Sequence, residues 1–298
     1  MNRRHTAARV HQRSTDALRS ATSPTMRRAA LAVRARYRLA TATWRQLPNV
    51  LIIGGMRCGT SSLYKYLGHH PNAVPSLRKE TEFLTRRYDR QELWWRSNFP
   101  LRWRHPTVVF EASPYYLAHP DAPGRAAVLV PDARLVAMLR EPADRAYSHW
   151  QHMRSVGVEP MGFAEAISSE SSRLKDGCKK ARLGPELARF FLSYRERGHY
   201  AEQLQRWLEQ FSADQLLVIE SEDFYSDTAK TYADVTDFLA LERWAPASFR
   251  NYSDPADMQR SEDDVEALAA LREHFSQPNE ELASLARRVG FEPPSWAK

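Results

Sequence analysis

Residues 50–63 change abruptly from the pattern of a buried strand to that of a helix, and this change constrains the fold more than any other feature of the chain. The apolar run Val50–Ile53 comes first. Glycines and hydroxyl residues follow it: Gly54, Gly55, Gly59, Thr60 and Ser61. Glycine has no Cβ, so the backbone can turn tightly and bring its N–H groups close to an anion. Hydroxyl donors at a helix N-terminus add to such a site. The stretch therefore predicts a strand, a phosphate loop and a helix.

The loop departs from the usual nucleoside-triphosphate motif at one position. The spacing from Gly54 to Gly59 fits that motif, but Thr60 stands where the motif has the lysine that holds the terminal phosphates. This difference argues against an ordinary kinase or ATPase. Arg57 is then the cation inside the loop, and a guanidinium suits an oxyanion because it can donate two parallel hydrogen bonds. A tight strand-to-helix connection that binds no ligand is the alternative.

Further apolar runs extend this pattern into a sheet. They predict strands at residues 73–74, 108–110, 135–139 and 216–219. The run at 135–139 has no polar interruption, which is typical of a parallel strand covered on both faces. Helix patterns separate the runs, so we predict an α/β protein with a P-loop-like three-layer fold, a central parallel sheet flanked by helices. Near the C-terminus, a helix that includes Phe275 is predicted to end before Pro278.

A second candidate anion site follows the strand at 135–139. Arg140 comes directly after it, and Pro142 opens a helix that carries Ser148 about two turns later. Because this strand and the first should end at the same edge of the sheet, two anion sites would lie side by side. That arrangement suggests a nucleotide phosphorylated at two places. A structural ion pair between Arg140 and Glu141 or Asp144 is the alternative.

Glu80 is a candidate general base. It follows the predicted strand at 73–74, and if that strand is parallel to the first, Glu80 emerges at the same edge as the phosphate loop. A solvated charge in a turn rich in lysine and glutamate is the alternative.

Positive charge is concentrated at the N-terminus. Residues 1–47 contain eleven arginines, no lysine and one acid, for a charge of +10, whereas the whole chain carries +7 and residues 48–298 therefore carry −3. The body lacks the basic stripe of a nucleic-acid-binding protein, so we expect no nucleic-acid partner. Apolar residues spaced three and four apart in 24–47 predict an amphipathic helix capped by Ser23. It either packs on the body or makes a peripheral contact with an anionic membrane or a partner.

Composition sets the remaining expectations. The chain should divide into an N-terminal extension, 1–47, and one domain, 48–298. The two cysteines, Cys58 and Cys178, form no metal-binding set and no framework of bridges, so we expect no metal and a cytoplasmic protein. A membrane-spanning helix needs about 20 consecutive apolar residues, and no apolar run in the sequence is that long.

Three segments together resemble the sulfotransferases that use 3′-phosphoadenylyl sulfate, in the branch of the heparan sulfate sulfotransferase domains and their bacterial relatives. The segments are 54–63, 139–148 and 198–207, and the resemblance spans roughly residues 48–290. It implies that the first loop holds the 5′-phosphosulfate, through Arg57, Cys58, Gly59, Thr60, Ser61 and Ser62. It implies that Arg140 and Ser148 hold the 3′-phosphate, and that Glu80, ahead of Phe83-Leu84, is the general base.

Two positions depart from the family pattern. Arg57 stands where many relatives have lysine, which keeps the charge but changes reach and geometry. Ala112 replaces a lysine of the animal enzymes, so that contact does not carry over, and the acceptor is expected to differ from theirs. The resemblance implies sulfuryl transfer to a hydroxyl or amine of a carbohydrate, a glycolipid or a small molecule. A small-molecule kinase and a non-catalytic nucleotide-binding adaptor are the alternatives.

Overall fold

A five-stranded parallel sheet forms the centre of the protein. The computed structural model describes residues 24–104, 106–250, 252 and 260–298. Its strands are β1 Val50–Gly54, β2 Ala73–Pro75, β3 Val108–Ala112, β4 Arg134–Leu139 and β5 Leu216–Glu220. Their order across the sheet is β2-β3-β1-β4-β5, and every neighbouring pair is parallel. Each strand predicted from the sequence is confirmed. The order places β1 between β3 and β4, so the segments that leave these three strands meet at one edge.

Helices cover both faces of the sheet, which confirms the predicted three-layer α/β fold. In chain order they are α1 Pro24–Ala40, α2 Thr60–Leu67, α3 Gln91–Arg96, α4 Ala122–Leu129, α5 Pro142–Ser155, α6 Phe163–Ser168, α7 Glu170–Asp176, α8 Pro185–Leu192, α9 Tyr200–Leu208, α10 Ser221–Ser226, α11 Thr228–Phe238, α12 Glu262–His274 and α13 Ser276–Val289. None of the helices in the described ranges is both long enough and apolar enough to cross a membrane.

Alternate residues of the central strands build separate cores on the two faces. Leu51 and Leu135, which are register partners, bury on one face together with residues of α9 and α13. Ile52 and Val136 bury on the other face together with residues of α2 and α11. Successive strand residues point to opposite sides of a sheet, so a strand covered on both faces must be apolar throughout. This is why β1 and β4 read as unbroken apolar runs.

The C-terminal region contains a helix that the sequence pattern missed. We expected Pro278 to lie beyond a helix end, but it lies in the first turn of α13. Proline is tolerated there because the first backbone N–H groups of a helix have no partner within the helix. The preceding helix ends at His274, one residue before Phe275, which we expected it to include, and α13 begins two residues later.

The N-terminal helix lies on the outside of the protein. Its expected cap, Ser23, is outside the described residues. The helix ends at Ala40, and a short 3-10 turn, Ala42–Trp44, joins it to the body. Val33, Tyr37 and Trp44, which belong to the predicted apolar stripe, are all exposed. These three residues therefore do not pack on the described part of the body, whereas Leu47, at the end of the predicted stripe, packs against the core.

Candidate active site

The phosphate loop turns sharply between β1 and α2. Gly59 caps α2 with φ of 94°, and Arg57 also has a positive φ of 69°. A Cβ on Gly59 would lie 3.1 Å from both Met138 Cε and the Tyr225 hydroxyl, so neither the backbone angle nor the space favours another residue. The loop is therefore held in one narrow turn.

The start of α2 presents backbone donors that the described part of the protein does not use. Among the described residues, no carbonyl or side-chain oxygen accepts a hydrogen bond from the N–H groups of Gly59, Thr60 or Ser61. Cys58, by contrast, donates its N–H to the Gly55 carbonyl over 3.2 Å. Free N–H groups at a helix start carry partial positive charge and bind anions. This geometry favours the ligand-binding interpretation of the loop over a plain connection.

Two loop residues have side chains that point elsewhere. The Cys58 thiol is buried, and burial raises its pKa to about 11, so it stays protonated at neutral pH. The Ser62 hydroxyl is also buried, and it accepts a hydrogen bond from the Tyr252 N–H over 3.3 Å. Any contribution of these two residues to an anion site would come from the backbone.

The second motif lies directly beside the loop. Arg140 follows β4, which neighbours β1, and Ser148 lies on α5. Arg57 Nε donates to Ser148 Oγ over 3.1 Å. The fold therefore brings the two predicted anion sites into contact through these two side chains.

The carboxylates near Arg140 are engaged by other groups. Glu141 caps α5, because its side chain accepts hydrogen bonds from the Ala143 and Asp144 N–H groups. Asp144 pairs with Arg272 at 3.0 Å and with Arg260 at 3.7 Å. Neither acid forms an ion pair with Arg140 among the described residues, so this alternative interpretation of Arg140 is not supported.

Glu80 lies at the same edge of the sheet, where the sequence placed it. Its N–H donates to the Ala112 carbonyl at the end of β3 over 2.9 Å, and its carboxylate pairs with the Lys79 ammonium. His152 on α5 lies near both Glu80 and Arg57: burial and the charge of Arg57 lower the pKa of its imidazole, and the charge of Glu80 raises it. Glu80 and Arg57 therefore both lie near His152.

A buried carboxylate holds the segment that carries Glu80. Glu111 of β3 is fully buried, and burial raises its pKa while its hydrogen bonds oppose that shift. Its four donors are Thr81, Trp95, Ser113 and Tyr116. The Tyr116 hydroxyl in turn accepts from the Phe83 and Leu84 N–H groups over 3.0 and 3.3 Å. This network fixes residues 81–84, directly after Glu80, whose φ is 61°.

The structure also reveals a second carboxyl group that the sequence pattern did not single out. Glu82 is buried, with φ of 53°, and accepts a hydrogen bond from the Thr85 hydroxyl over 2.8 Å. Burial raises the pKa of its carboxyl to about 7, with a further increase from Glu80 and Glu111 and an opposing effect of Arg197. Two acidic groups two residues apart thus have different environments. Spacing alone could not show this, because burial of Glu82 depends on contacts distant in sequence.

We expect Glu82→Gln to stabilise the protein more at pH 8 than at pH 5. The pKa of the Glu82 carboxyl is the ordinary 4.5 in the unfolded chain and about 7 in the folded one. The folded state therefore binds the carboxyl proton more tightly than the unfolded state does. The contribution of Glu82 to stability is therefore full below pH 4.5 and is lost as the pH rises to 7. The glutamine amide does not titrate, and its gain should approach about 3 kcal/mol at most at pH 8. Urea denaturation at the two pH values measures it, with Glu92→Gln as control, and an equal gain at both would contradict the assignment.

Arg197 and Tyr115 pack together near both the phosphate loop and Glu82. The Arg197 guanidinium is buried, stacks over the Tyr115 ring at 4.5 Å, and lies 3.6 Å from Met56 Sδ in the phosphate loop. Burial lowers its pKa to about 10, so it remains a cation at neutral pH. This pair therefore adds positive charge beside the phosphate loop. Sequence reasoning missed it because the partners come from distant segments.

His149 is not accessible to a ligand. It is fully buried, and neither ring nitrogen has a hydrogen-bond partner among the described residues. Burial and the nearby Arg197 and Arg145 lower the pKa of its imidazole well below the usual range. His149 is therefore neutral and belongs to the interior, although it neighbours Ser148 in sequence.

Known proteins are similar to this chain in sequence. A family model described as a sulfotransferase domain matches residues 47–263. The chain is 29% identical over 294 residues to the human "Bifunctional heparan sulfate N-deacetylase/N-sulfotransferase 3". The aligned region covers 85% of this chain and 31% of that protein. It is 30% identical over 221 residues to the Caenorhabditis elegans "Bifunctional heparan sulfate N-deacetylase/N-sulfotransferase 1". This aligned region covers 71% of this chain and 24% of that protein. The chain thus spans less than a third of the length of these relatives.

A solved structure agrees with the sequence matches. The sulfotransferase from Alicyclobacillus acidocaldarius is similar to this chain with a TM-score of 0.66 and 27% sequence identity. The similarity covers 85% of this chain and 100% of the bacterial one. The shared architecture therefore extends over the whole length of that bacterial protein.

Proposed function

Because this chain belongs to the sulfotransferase domain family, we propose that it transfers a sulfuryl group from 3′-phosphoadenylyl sulfate to an acceptor hydroxyl or amine. The observation that carries the proposal is the contact of two anion-binding motifs, with Arg57 Nε 3.1 Å from Ser148 Oγ. A donor that bears a phosphosulfate at one end of its ribose and a phosphate at the 3′ position needs two such sites close together.

The residues of the two sites suit the two ends of this donor. The N–H groups of Gly59, Thr60 and Ser61, which have no protein acceptor among the described residues, would bind the 5′-phosphosulfate together with Arg57. Arg140, which has no carboxylate partner within the described ranges, would bind the 3′-phosphate together with Ser148. The same donor set does not favour an ordinary nucleoside triphosphate, because the loop has no lysine at position 60.

Each residue of the site would have a definite chemical task. The donor supplies an activated sulfuryl group, whose sulfur forms a bond with the acceptor atom as its bond to the phosphate oxygen breaks. Glu80 accepts the proton that the acceptor loses. Arg57 and the loop N–H groups stabilise the negative charge that develops on the leaving phosphate, as fixed donors do in other enzymes. His152, close to both Glu80 and Arg57, would contact the groups that react.

The acceptor is proposed only as a chemical class. The names of the animal relatives include heparan sulfate N-sulfotransferase, and a sugar-containing acceptor or a small hydroxylated molecule is consistent with those names. Arg197 beside Glu82, and Arg86 at 4.4 Å above the Phe190 ring, would offer charge and apolar surface to such a molecule. A screen of hydroxylated and amine acceptors with radiolabelled donor tests this part of the proposal, and transfer to none of them would contradict it.

We expect adenosine 3′,5′-bisphosphate to raise the melting temperature by several degrees, and ADP at equal concentration to raise it much less. A ligand that binds only the folded state must stabilise it, and ADP lacks the 3′-phosphate.

Arg140→Ala should weaken binding of the bisphosphate by about tenfold to hundredfold, because a charge-assisted contact contributes roughly 1.5–3 kcal/mol. Arg288→Ala on α13 is the matched control. Equal shifts from both nucleotides, or unchanged affinity in the Arg140 variant, would remove the second anion site.

A further inference from the structure

Helix α1 exposes apolar side chains along its whole length. Val33 is 67% exposed and Tyr37 56%, and Trp44, just beyond the helix, is 58% exposed. Ala30 and Ala40 on the same stripe are exposed as well. A helix of 17 residues is about 25 Å long, so this is an extended surface and not a single stray residue. Exposed apolar surface of this extent marks an interaction site.

The end of the helix is fixed so that the stripe faces away from the body. Arg38 Nη2 donates to the Phe99 carbonyl over 2.8 Å, and the buried Arg45 donates to the same carbonyl over 2.9 Å. Arg38 and Val33 are five residues apart, which places them about 140° apart around the helix axis. The contact that anchors α1 to the body therefore turns Val33 and its neighbours outward.

Positive charge accompanies this apolar stripe. Residues 24–47 contain six arginines and no acidic residue. Arg38 and Arg45 bind the body through the Phe99 carbonyl, whereas Arg34 and Arg36 flank the stripe. Around the helix axis, Arg34 lies about 100° to one side of Val33 and Arg36 about 60° to the other side. A second copy of α1 would bring the same charges and be repelled. An anionic surface complements both the arginines and the apolar stripe between them.

We propose that α1 lies along an anionic lipid surface, with Val33 and Tyr37 in the interface and the arginines at the headgroups. Apolar burial and charge attraction then act together, and such a combination of two signals is what stable peripheral binding requires. Tyr37 and Trp44 suit this position, because aromatic side chains with a polar edge favour the membrane interface. The catalytic domain would thus be held beside the bilayer by α1.

Cosedimentation of the full chain with vesicles tests the proposal. We expect binding to phosphatidylcholine vesicles that contain phosphatidylglycerol, little binding to phosphatidylcholine alone, and release at high salt. Replacing both Arg34→Gln and Arg36→Gln should weaken binding by about tenfold or more, since each basic residue near such a surface contributes roughly fivefold. The double variant Val33→Ser and Tyr37→Ser should weaken it by a similar factor.

Matched controls separate this role from a loss of folding or of donor binding. Val128 and Val265 are exposed apolar residues on α4 and α12, so Val128→Ser with Val265→Ser should bind vesicles like the wild type. All variants should keep the melting shift with adenosine 3′,5′-bisphosphate, which makes this proposal independent of the proposed transfer reaction. The proposal is overturned if the wild type does not bind anionic vesicles, or if the variant with Val33→Ser and Tyr37→Ser binds them as strongly as the wild type does. A concentration-dependent dimer that this variant abolishes would instead assign the stripe to a second copy.

Discussion

Glu80→Gln should lower turnover by about 10²–10⁴ while the affinity for adenosine 3′,5′-bisphosphate stays within a few-fold of the wild type. The acceptor hydroxyl is a poor nucleophile until its proton can leave, and glutamine keeps the size of glutamate but cannot accept the proton. The backbone hydrogen bond from Glu80 to Ala112 does not involve the side chain, so the position of the segment is preserved. Steady-state assays with radiolabelled donor, combined with calorimetric titration of the bisphosphate, separate the two effects.

The control for this experiment must be an exposed glutamate. Glu82 is unsuitable, because it is buried and has a raised pKa, so its replacement changes more than a charge. Glu92, whose side chain is 40% exposed, pairs with the less exposed Arg96 on α3, and Glu92→Gln should keep nearly full activity. If Glu80→Gln turns over near the wild-type rate, the base is a different group, and the Glu82→Gln variant already described becomes the next to assay.

Glu111→Ala should lower the free energy of unfolding by roughly 3–5 kcal/mol, a loss at the upper end of what single substitutions cause. The change leaves the donors of Thr81, Trp95, Ser113 and Tyr116 without their acceptor in a fully buried site. Each buried donor without a partner costs about 1–3 kcal/mol, and relief of the buried carboxylate offsets part of the sum. Equilibrium urea denaturation measures the loss.

Glu111→Gln is the conservative comparison. Its amide oxygen can accept from the Trp95 indole, which only donates, and its amide N–H groups can donate to hydroxyls that rotate to accept. We therefore expect this variant to lose clearly less stability than Glu111→Ala, and Glu92→Ala on the surface to lose less than about 1 kcal/mol. Equal losses in the two Glu111 variants would contradict this expectation, and would show that an amide of the same volume cannot replace the carboxylate as the acceptor of these hydrogen bonds.

The sheet was predictable from sequence because its constraints are local. A strand covered on both faces must be apolar throughout, so the run Leu135–Leu139 identifies β4 without knowledge of its neighbours. The positions of Arg57, Arg140 and Glu80 followed from the same rule, since the ends of parallel strands meet at one edge. The prediction that Pro278 lies beyond a helix end was wrong, because a proline is found both after the end of a helix and in the first turn of another one.

The environment of the site was not predictable in the same way. Glu82 and Glu80 are both acids in one short segment, and only the tertiary contacts bury the first and leave the second exposed. In the sequence, Glu111 is an ordinary acidic residue near the end of a strand, yet its hydrogen-bond donors are spread over residues 81–116. Such networks depend on which side chains meet in three dimensions, and periodicity carries no information about that.

The order of the strands also separates the two halves of the site across the sheet. The candidate donor-binding residues come from the segments after β1 and β4, whereas Glu80, Glu82 and their supporting network come from the segments after β2 and β3. Either half can therefore accumulate substitutions, insertions or exchanged loops with little disturbance of the other. A lineage built on this topology can acquire new acceptors while its donor stays the same, which is how one scaffold diversifies its substrates.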